Sequence, residues 1–166
     1  MDGTLVRPVA FADAASIARI YNWYIQESTV TFEQSNLEPA DAERRIRNTL
    51  DRYPWLVFEA EGVIRGYAYA GPYHARAAYR HTVEISVYVE NGFEGRRIGT
   101  RLYAALFSIL EASEVHAIIA GIALPNPGSV ALHERFGMEK VAHFKEVGRK
   151  FGSWIDVGHW QRILAS

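Results

Sequence analysis

The stretch that decides the fold reads Thr82-Val83-Glu84-Ile85-Ser86-Val87-Tyr88-Val89. It continues through Glu90-Asn91-Gly92-Phe93 into Glu94-Gly95-Arg96-Arg97-Ile98-Gly99-Thr100. Val83, Ile85, Val87 and Val89 alternate with Glu84, Ser86 and Tyr88, the two-residue period of a strand. At Ile98 the period changes. Ile98, Leu102, Ala105, Leu106 and Ile109 form an apolar stripe on a helix that runs to about Ala112. A glycine-bearing turn between a strand and a helix gathers the unpaired N–H groups of the helix's first turn. The helix dipole adds about half a positive charge at the same place. Such a turn suits a ligand with phosphates. Gly95 and Gly99 would equally suit a plain strand-to-helix turn, and Arg97 stands where such loops often carry a third glycine.

Working outward, Val6 to Ala10 reads as a short strand, and Asp13 as the N-cap of a helix carrying Ile17, Ile20, Tyr21 and Tyr24 at helical spacing. Ser28 to Gln34 is a polar, β-branched loop containing Phe32. Glu38-Pro39 opens a second helix with proline at its first position and Ala42, Ile46 and Leu50 on one face. Trp55 to Ala60 and Val63 to Pro72 read as a hairpin turning at Glu61-Gly62. Beyond the central helix, His116 to Leu124 is nearly all apolar, as expected of a strand covered on both faces. Asn126-Pro127 supplies a cap and a first-position proline for a helix that reaches Phe136 and stops at Gly137. Strands near Glu139–Val147 and Trp154–Arg162 complete the order βααβββαβαββ. That order predicts a single α/β domain with a mixed, largely antiparallel sheet and helices on both faces.

The chain has 166 residues, 49% of them hydrophobic and 13% aromatic, which is enough for a substantial core. A formal charge of −1 gives no basic excess for nucleic acid or an anionic membrane. No apolar run reaches the length of a membrane span. Met1-Asp2-Gly3-Thr4 lacks the form of a secretory signal, so a cytoplasmic location is expected. With no cysteine there is neither a thiolate metal site nor a cysteinyl nucleophile. The six histidines show no metal-ligand spacing, so no metal is expected.

The element order, the strand–loop–helix and the later Asn-capped helix resemble the GNAT N-acetyltransferase superfamily. Within it, several segments resemble the phosphinothricin and methionine sulfoximine acetyltransferase group. They are Asp51-Arg52-Tyr53-Pro54-Trp55-Leu56-Val57, Tyr69-Ala70-Gly71-Pro72, Ala75-Arg76, Thr82-Val83-Glu84, Val87-Tyr88-Val89, Leu124-Pro125-Asn126 and Gly152-Ser153-Trp154-Ile155-Asp156-Val157-Gly158. The resemblance covers about Val6 to Leu164. It implies acetyl-CoA as donor, a small amino-acid-like amine as acceptor, and a homodimer. Phe151, Trp154 and Trp160 near the C-terminus would suit the interface.

The resemblance also implies site residues. Glu94, Gly95, Arg96, Arg97, Ile98, Gly99 and Thr100 would hold the pyrophosphate of CoA, with Arg101 able to help. Glu94 and Arg97 depart from the family pattern, the first placing a carboxylate near the phosphates and the second replacing a glycine. The main-chain cradle would survive if residue 97 kept a negative φ. Val87, Tyr88 and Val89 would polarise the thioester carbonyl, and Asn126 and Ser129 would hold the pantetheine arm. Phe32, Tyr69, Arg76, Tyr79 and Tyr103 align with acceptor-side positions, although aromatic residues in so aromatic a chain also serve as core. Arg76 suits a carboxylate. Tyr79-Arg80-His81 departs from the herbicide-resistance enzymes, where an acidic and an aromatic residue follow the Tyr.

Glu84 lies mid-strand opposite a Val/Ile face, where a carboxylate is costly unless partnered; burial would raise its pKa towards that of a useful base. The plainer reading is a solvent-facing acid or one paired with an arginine. His133 sits two turns after Asn126 on the same helix face and has a near-neutral pKa suited to acid or base duty. By resemblance it occupies a position where relatives carry a catalytic Tyr or His. A half-exposed polar residue is the alternative. The function expected is direct acetyl transfer to an amino-acid-like amine in a ternary complex. The alternatives are another acceptor (a different amino acid, a polyamine, a protein N-terminus) or a non-catalytic CoA-binding module.

Overall fold

The computed structural model describes residues 3–165 and contains the expected elements in the expected order. Met1 and Asp2, half of the segment weighed above for a secretory signal, lie outside the described residues, as does Ser166. The strands are β1 (Thr4–Pro8), β2 (Trp55–Ala60), β3 (Val63–Pro72), β4 (Thr82–Val89), β5 (Ala117–Leu124), β6 (Glu139–Lys150) and β7 (Ser153–Ile163). The helices are α1 (Ala14–Glu27), α2 (Pro39–Leu50), α3 (Ile98–Glu111) and α4 (Pro127–Arg135). One sheet runs β1-β2-β3-β4-β5-β7-β6. Every neighbouring pair is antiparallel except β4 and β5, which α3 connects and which run parallel. No helix among the described residues is long and apolar enough to cross a membrane.

Helices cover both faces. Leu102, Leu106 and Leu110 of α3 pack against Val83, Ile85, Ile118 and Ala120 on one face, all buried. Each such leucine contributes about 1.5–3 kcal/mol by leaving water. On the other face, Ile17, Ile20 and Ile25 of α1 and Ala42 and Ile46 of α2 cover Trp55, Val57 and Tyr67. The period-2 alternation of β4 thus serves two cores. Glu61 and Gly62 both have positive φ, which makes the β2–β3 hairpin turn the mirror-image type that matches strand twist.

Five expectations need correction. β1 ends at Pro8 rather than Ala10, because a 3-10 turn at Phe11–Asp13 follows. Asp13 does not cap α1. Its carboxylate turns back to accept the Ala10 N–H at 2.7 Å and a two-pronged contact from Arg7 at 2.8 and 2.9 Å. Ile109 is exposed, and Leu110 takes its place on the buried stripe with Tyr103 and Phe107. Trp160 is buried, its Nε1–H donating to Glu134, whereas Phe151 and Trp154 are exposed as expected. In β5 the alternation is stronger than expected, since Gly121 is open to solvent.

Candidate functional site

The sheet opens at its centre. β4 pairs with β5 only at Thr82, Val83 and Glu84, while β5 stays with β7 along its whole length to Leu124. From Ile85 onward the edge of β4 that faces β5 has no strand beside it. A cleft occupies the gap, lined by Ile85, Ser86, Val87 and Tyr88 on one side and Gly121, Ile122 and Ala123 on the other. Val30, Tyr103, Asn126, Ser129 and His133 complete it. An open strand edge is a template for an extended, amide-bearing ligand.

At one end of β4 is the loop quoted at the outset. Gly95 has φ 75° and Arg97 has φ 63°, ψ 17°. The condition set above for residue 97, a negative φ, is not met: Arg97 occupies the left-handed conformation that glycine favours. Left-handed residues at alternate positions turn main-chain N–H groups to one side and form an anion-binding concavity. The helix N-terminus beside it adds its dipole, and the first intrahelical bond there is Arg101 N–H to Arg97 O at 2.9 Å. Glu94 folds back so that its carboxylate accepts the Gly92 N–H at 2.7 Å. Arg96 lies over the Phe93 ring at 4.6 Å, and Arg65 lies over the same ring at 4.2 Å. Arg101 is turned away, over Phe58 and bonded to the Thr4 hydroxyl, so its expected help at the loop is not supplied in this arrangement. The loop is anchored from behind by Glu90, which Arg65 and Arg19 both engage. A backbone cradle so shaped fits a pyrophosphate.

Asn126 caps α4 as expected, its side-chain oxygen accepting the Ser129 N–H at 3.2 Å. His133 is buried, not half-exposed. Its Nδ1 lies 2.7 Å from the Ser129 carbonyl oxygen, which can only accept, so Nδ1 carries the proton. Its Nε2 then accepts from the Tyr103 hydroxyl at 2.8 Å. Burial pushes the His133 pKa below its ordinary value, with the Ser129 carbonyl opposing only in part. The imidazole is thus neutral with a fixed tautomer. Tyr103 itself is fully enclosed, its ring against Phe107 and Phe136, and burial drives its pKa well above the usual range.

Glu84 sits exposed where the β4–β5 pairing ends, the solvent-facing position of the plainer reading. The protein around it desolvates the carboxyl and raises its pKa above the ordinary 4.5, with His159 and His74 nearby pulling the other way. Tyr69, stacked on Trp55 at 4.2 Å, faces Ser86 across the β3–β4 pair. Phe32 lies against the backbone of Gly148. Arg76 and Tyr79 are exposed on the loop around the 3-10 turn Ala77–Tyr79, where Tyr79 meets Tyr73 and His74 edge-on. Of the expected residues, the cleft gathers Val87, Tyr88, Tyr103, Asn126, Ser129 and His133. Glu84, Val89, Phe32, Tyr69, Arg76, Tyr79 and the Glu94–Thr100 loop are not among its lining residues.

Sequence reasoning missed Val30, Ser86 and Gly121 as lining residues, and His159, whose ring stands 3.5 Å from where a Gly121 Cβ would lie. Val30 was within reach, since it belongs to the loop singled out for Phe32. Gly121 and His159 meet only through β5–β7 register, which no local pattern reveals. Among the described residues no group of three or more His, Asp or Glu could hold a metal.

A split central sheet with an anion cradle beyond one end of β4 and a carboxylate where the strands part suits a transferase that uses a phosphate-bearing donor. Residues 6–159 match the model of the acetyltransferase (GNAT) domain family, and the chain belongs to that family. It is an N-acetyltransferase. It is 43% identical over 157 residues to the phosphinothricin N-acetyltransferase of Streptomyces viridochromogenes, covering 95% of this chain and 86% of that one. It is 34% identical to the L-methionine sulfoximine/L-methionine sulfone acetyltransferase of Salmonella typhimurium, covering 92% and 90% of the two chains. The crystal structure of a phosphinothricin acetyltransferase from Sinorhizobium meliloti in complex with acetyl-CoA superposes with a TM-score of 0.94 at 33% identity, covering 98% and 89%.

Proposed function

We propose that this single-domain enzyme transfers acetyl from acetyl-CoA directly to the amino group of a small amino-acid-like acceptor. The observation that carries the reading is the β4–β5 opening, with Glu84 at the point where the strands part. The relatives' names supply the acceptor class. In the proposed arrangement the pyrophosphate rests on the amides of Gly95 to Thr100, and the pantetheine arm lies along Val87–Val89 beside Asn126 and Ser129. Main-chain N–H groups of β4 polarise the thioester carbonyl.

Glu84 takes the proton from the acceptor ammonium, directly or through water. The amine then attacks the thioester carbon, the C–S bond breaks, and the proton that the nitrogen sheds on becoming an amide passes to the departing thiolate, which leaves as the free thiol beside the Tyr103–His133 pair. His133 is not the base in this scheme, because its only lone pair already accepts from Tyr103. Tyr69 and Phe32 wall the acceptor side, and Arg76 and Tyr79 approach the acceptor carboxylate from their exposed loop. We place the enzyme in the cytoplasm as a homodimer joined through the β6–β7 hairpin, where Val141, Phe144, Val147, Phe151, Trp154 and Ile163 are all more than half exposed.

The test is thiol release from acetyl-CoA with L-methionine sulfoximine, L-methionine sulfone, phosphinothricin, the common L-amino acids, a polyamine and an alanine-ended peptide. Release with at least one amino-acid-like acceptor, above that with the polyamine and peptide, is expected. Release with none would leave a CoA-binding module. Glu84→Gln should lower kcat at least about 100-fold while acetyl-CoA affinity stays within about twofold. A base must be deprotonated to act, so wild-type kcat/KM should fall as pH drops through the Glu84 pKa. That acidic limb should lie above 4.5 and vanish in Glu84→Gln.

A further inference from the structure

Lys150 has no place in the chemistry above, yet its ammonium is buried, with only 4% of the residue exposed. It ends β6, far in sequence from the loop between α1 and α2, but it reaches into that loop. Its Nζ donates to the carbonyl oxygens of Ser28 at 2.7 Å and Thr31 at 2.8 Å, and lies 3.4 Å from that of Tyr24. Tyr24 and Ser28 are at the C-terminal end of α1, where the helix dipole favours a cation, although the Tyr24 carbonyl already accepts the Ser28 N–H at 3.2 Å. The remaining face of the ammonium lies 5.0 Å from the centre of the Phe151 ring. Burial lowers the Lys150 pKa, and no carboxylate contributes to the shift.

The segment so held is functionally placed. Val30, between the two tightest contacts, lines the cleft. The Thr31 hydroxyl bonds Tyr21 at 2.7 Å, and Glu33 joins Tyr21 to Arg45. Phe32 lies so close to β6 that a Cβ on Gly148 would be 2.4 Å from its ring. Two contacts from one strand, Lys150 on the loop's carbonyls and Gly148 under its aromatic ring, therefore fix residues 28–32 over the acceptor side. We propose that Lys150 is a positioning residue for the acceptor, holding the Ser28–Phe32 loop in its binding geometry through main-chain carbonyls. The proposal rests on the acceptor lying beside Glu84, as assigned above.

Lys150→Met keeps the length and apolar stem and removes the donor. Its expected effect is a rise of about tenfold or more in KM for the best acceptor of the panel, with KM for acetyl-CoA within about twofold of wild type. Gly148→Ala, which displaces Phe32 without touching the ammonium, should raise acceptor KM in the same direction. Hydrogen exchange on the substrate-free protein separates this proposal from the assignment of the acceptor side. Residues 28–33 should lose protection in Lys150→Met while residues 92–97 keep theirs. Lost protection with unchanged acceptor KM would overturn the role in acceptor binding, and unchanged protection would overturn the role in holding the loop. If Lys150→Met does not fold, Gly148→Ala decides: unchanged acceptor KM there overturns the proposal.

Discussion

Arg97 shows most clearly how one residue's backbone and side chain can pull apart. At φ 63° an L-residue places Cβ against its neighbouring carbonyl, which costs about 1–2 kcal/mol and which glycine avoids. The chain keeps arginine there, exposed, at the mouth of an anion cradle. Arg97→Gly should therefore split two properties. Stability in urea should rise by about 0.5–1 kcal/mol, less than the full strain because glycine also loosens the unfolded chain. Acetyl-CoA affinity by calorimetry should fall about 5- to 20-fold at low salt, with a smaller loss at high salt because the lost contact is ionic. Unchanged affinity would mean that the side chain does not reach the phosphates. Sequence could mark this position as a departure, but not the sign of its φ, which tertiary packing sets. Glu94 is similar: its charge was legible, but its folding back onto Gly92 was not. Glu84 and His133 were visible through period and spacing. The burial that keeps His133 neutral was not, since it comes from tertiary neighbours such as Tyr103, thirty residues away.

At the scale of elements, type and order were legible throughout because each has a strong local signature. The β2–β3 turn has Glu61-Gly62, α2 has Pro39, and α4 has Asn126-Pro127 with Gly137 after its end. What failed was the start of α1, where a local rule met a competing long-range partner. Asp13 fits the cap pattern, but Arg7 takes its carboxylate instead, also bonding Glu59, and so pins the β1–α1 junction to β2. Breaking this partly buried ion pair leaves a charge short of its partner, at a cost below that of a fully buried one. Asp13→Ala should lose about 2–3 kcal/mol in urea denaturation near neutral pH, with an unchanged m value. Burial alone would raise the Asp13 carboxyl, but the Arg7 contact and the Ala10 N–H outweigh it and hold it below the ordinary 3.8. A depressed carboxylate stabilises the fold above its unfolded pKa, and that stabilisation fades as pH falls through the folded value. The gap between wild type and Asp13→Ala should therefore be constant above about pH 5 and shrink below pH 3.8. A gap that does not vary with pH would mean that Asp13 acts through shape alone. The parting of β4 and β5, on which the site depends, lay beyond local reading altogether, because it is a property of register.

For the molecule as a whole, the β6–β7 hairpin would join the two roles proposed for it, dimer contact and support of the acceptor loop. It carries an exposed apolar set between Val141 and Ile163, and its β6 strand carries Gly148 and Lys150, which contact the Ser28–Phe32 loop. Between them the hairpin is irregular. Its pairing shifts register between Phe144 and Gly148, Glu146 takes a positive φ, and its tip turns through Phe151 and Gly152, both with positive φ. An irregular hairpin that presents large hydrophobic side chains to water is poorly supported on its own, and covering them in a dimer would steady it. A stable interface buries about 800 Å² on each partner, an area within reach of the six side chains and their surroundings. The assembly and the acceptor loop should therefore respond together. Wild type should sediment as a dimer at micromolar concentration, and Trp154→Glu with Phe151→Glu should shift it to monomer. The monomer should show a raised KM for the acceptor and an unchanged KM for acetyl-CoA, because the cofactor cradle belongs to α3 and β4 on the other side of the sheet's opening. A wild-type monomer would remove the dimer from the account. A monomeric variant with both KM values unchanged would show instead that Lys150 and Gly148 hold the loop without help from the partner.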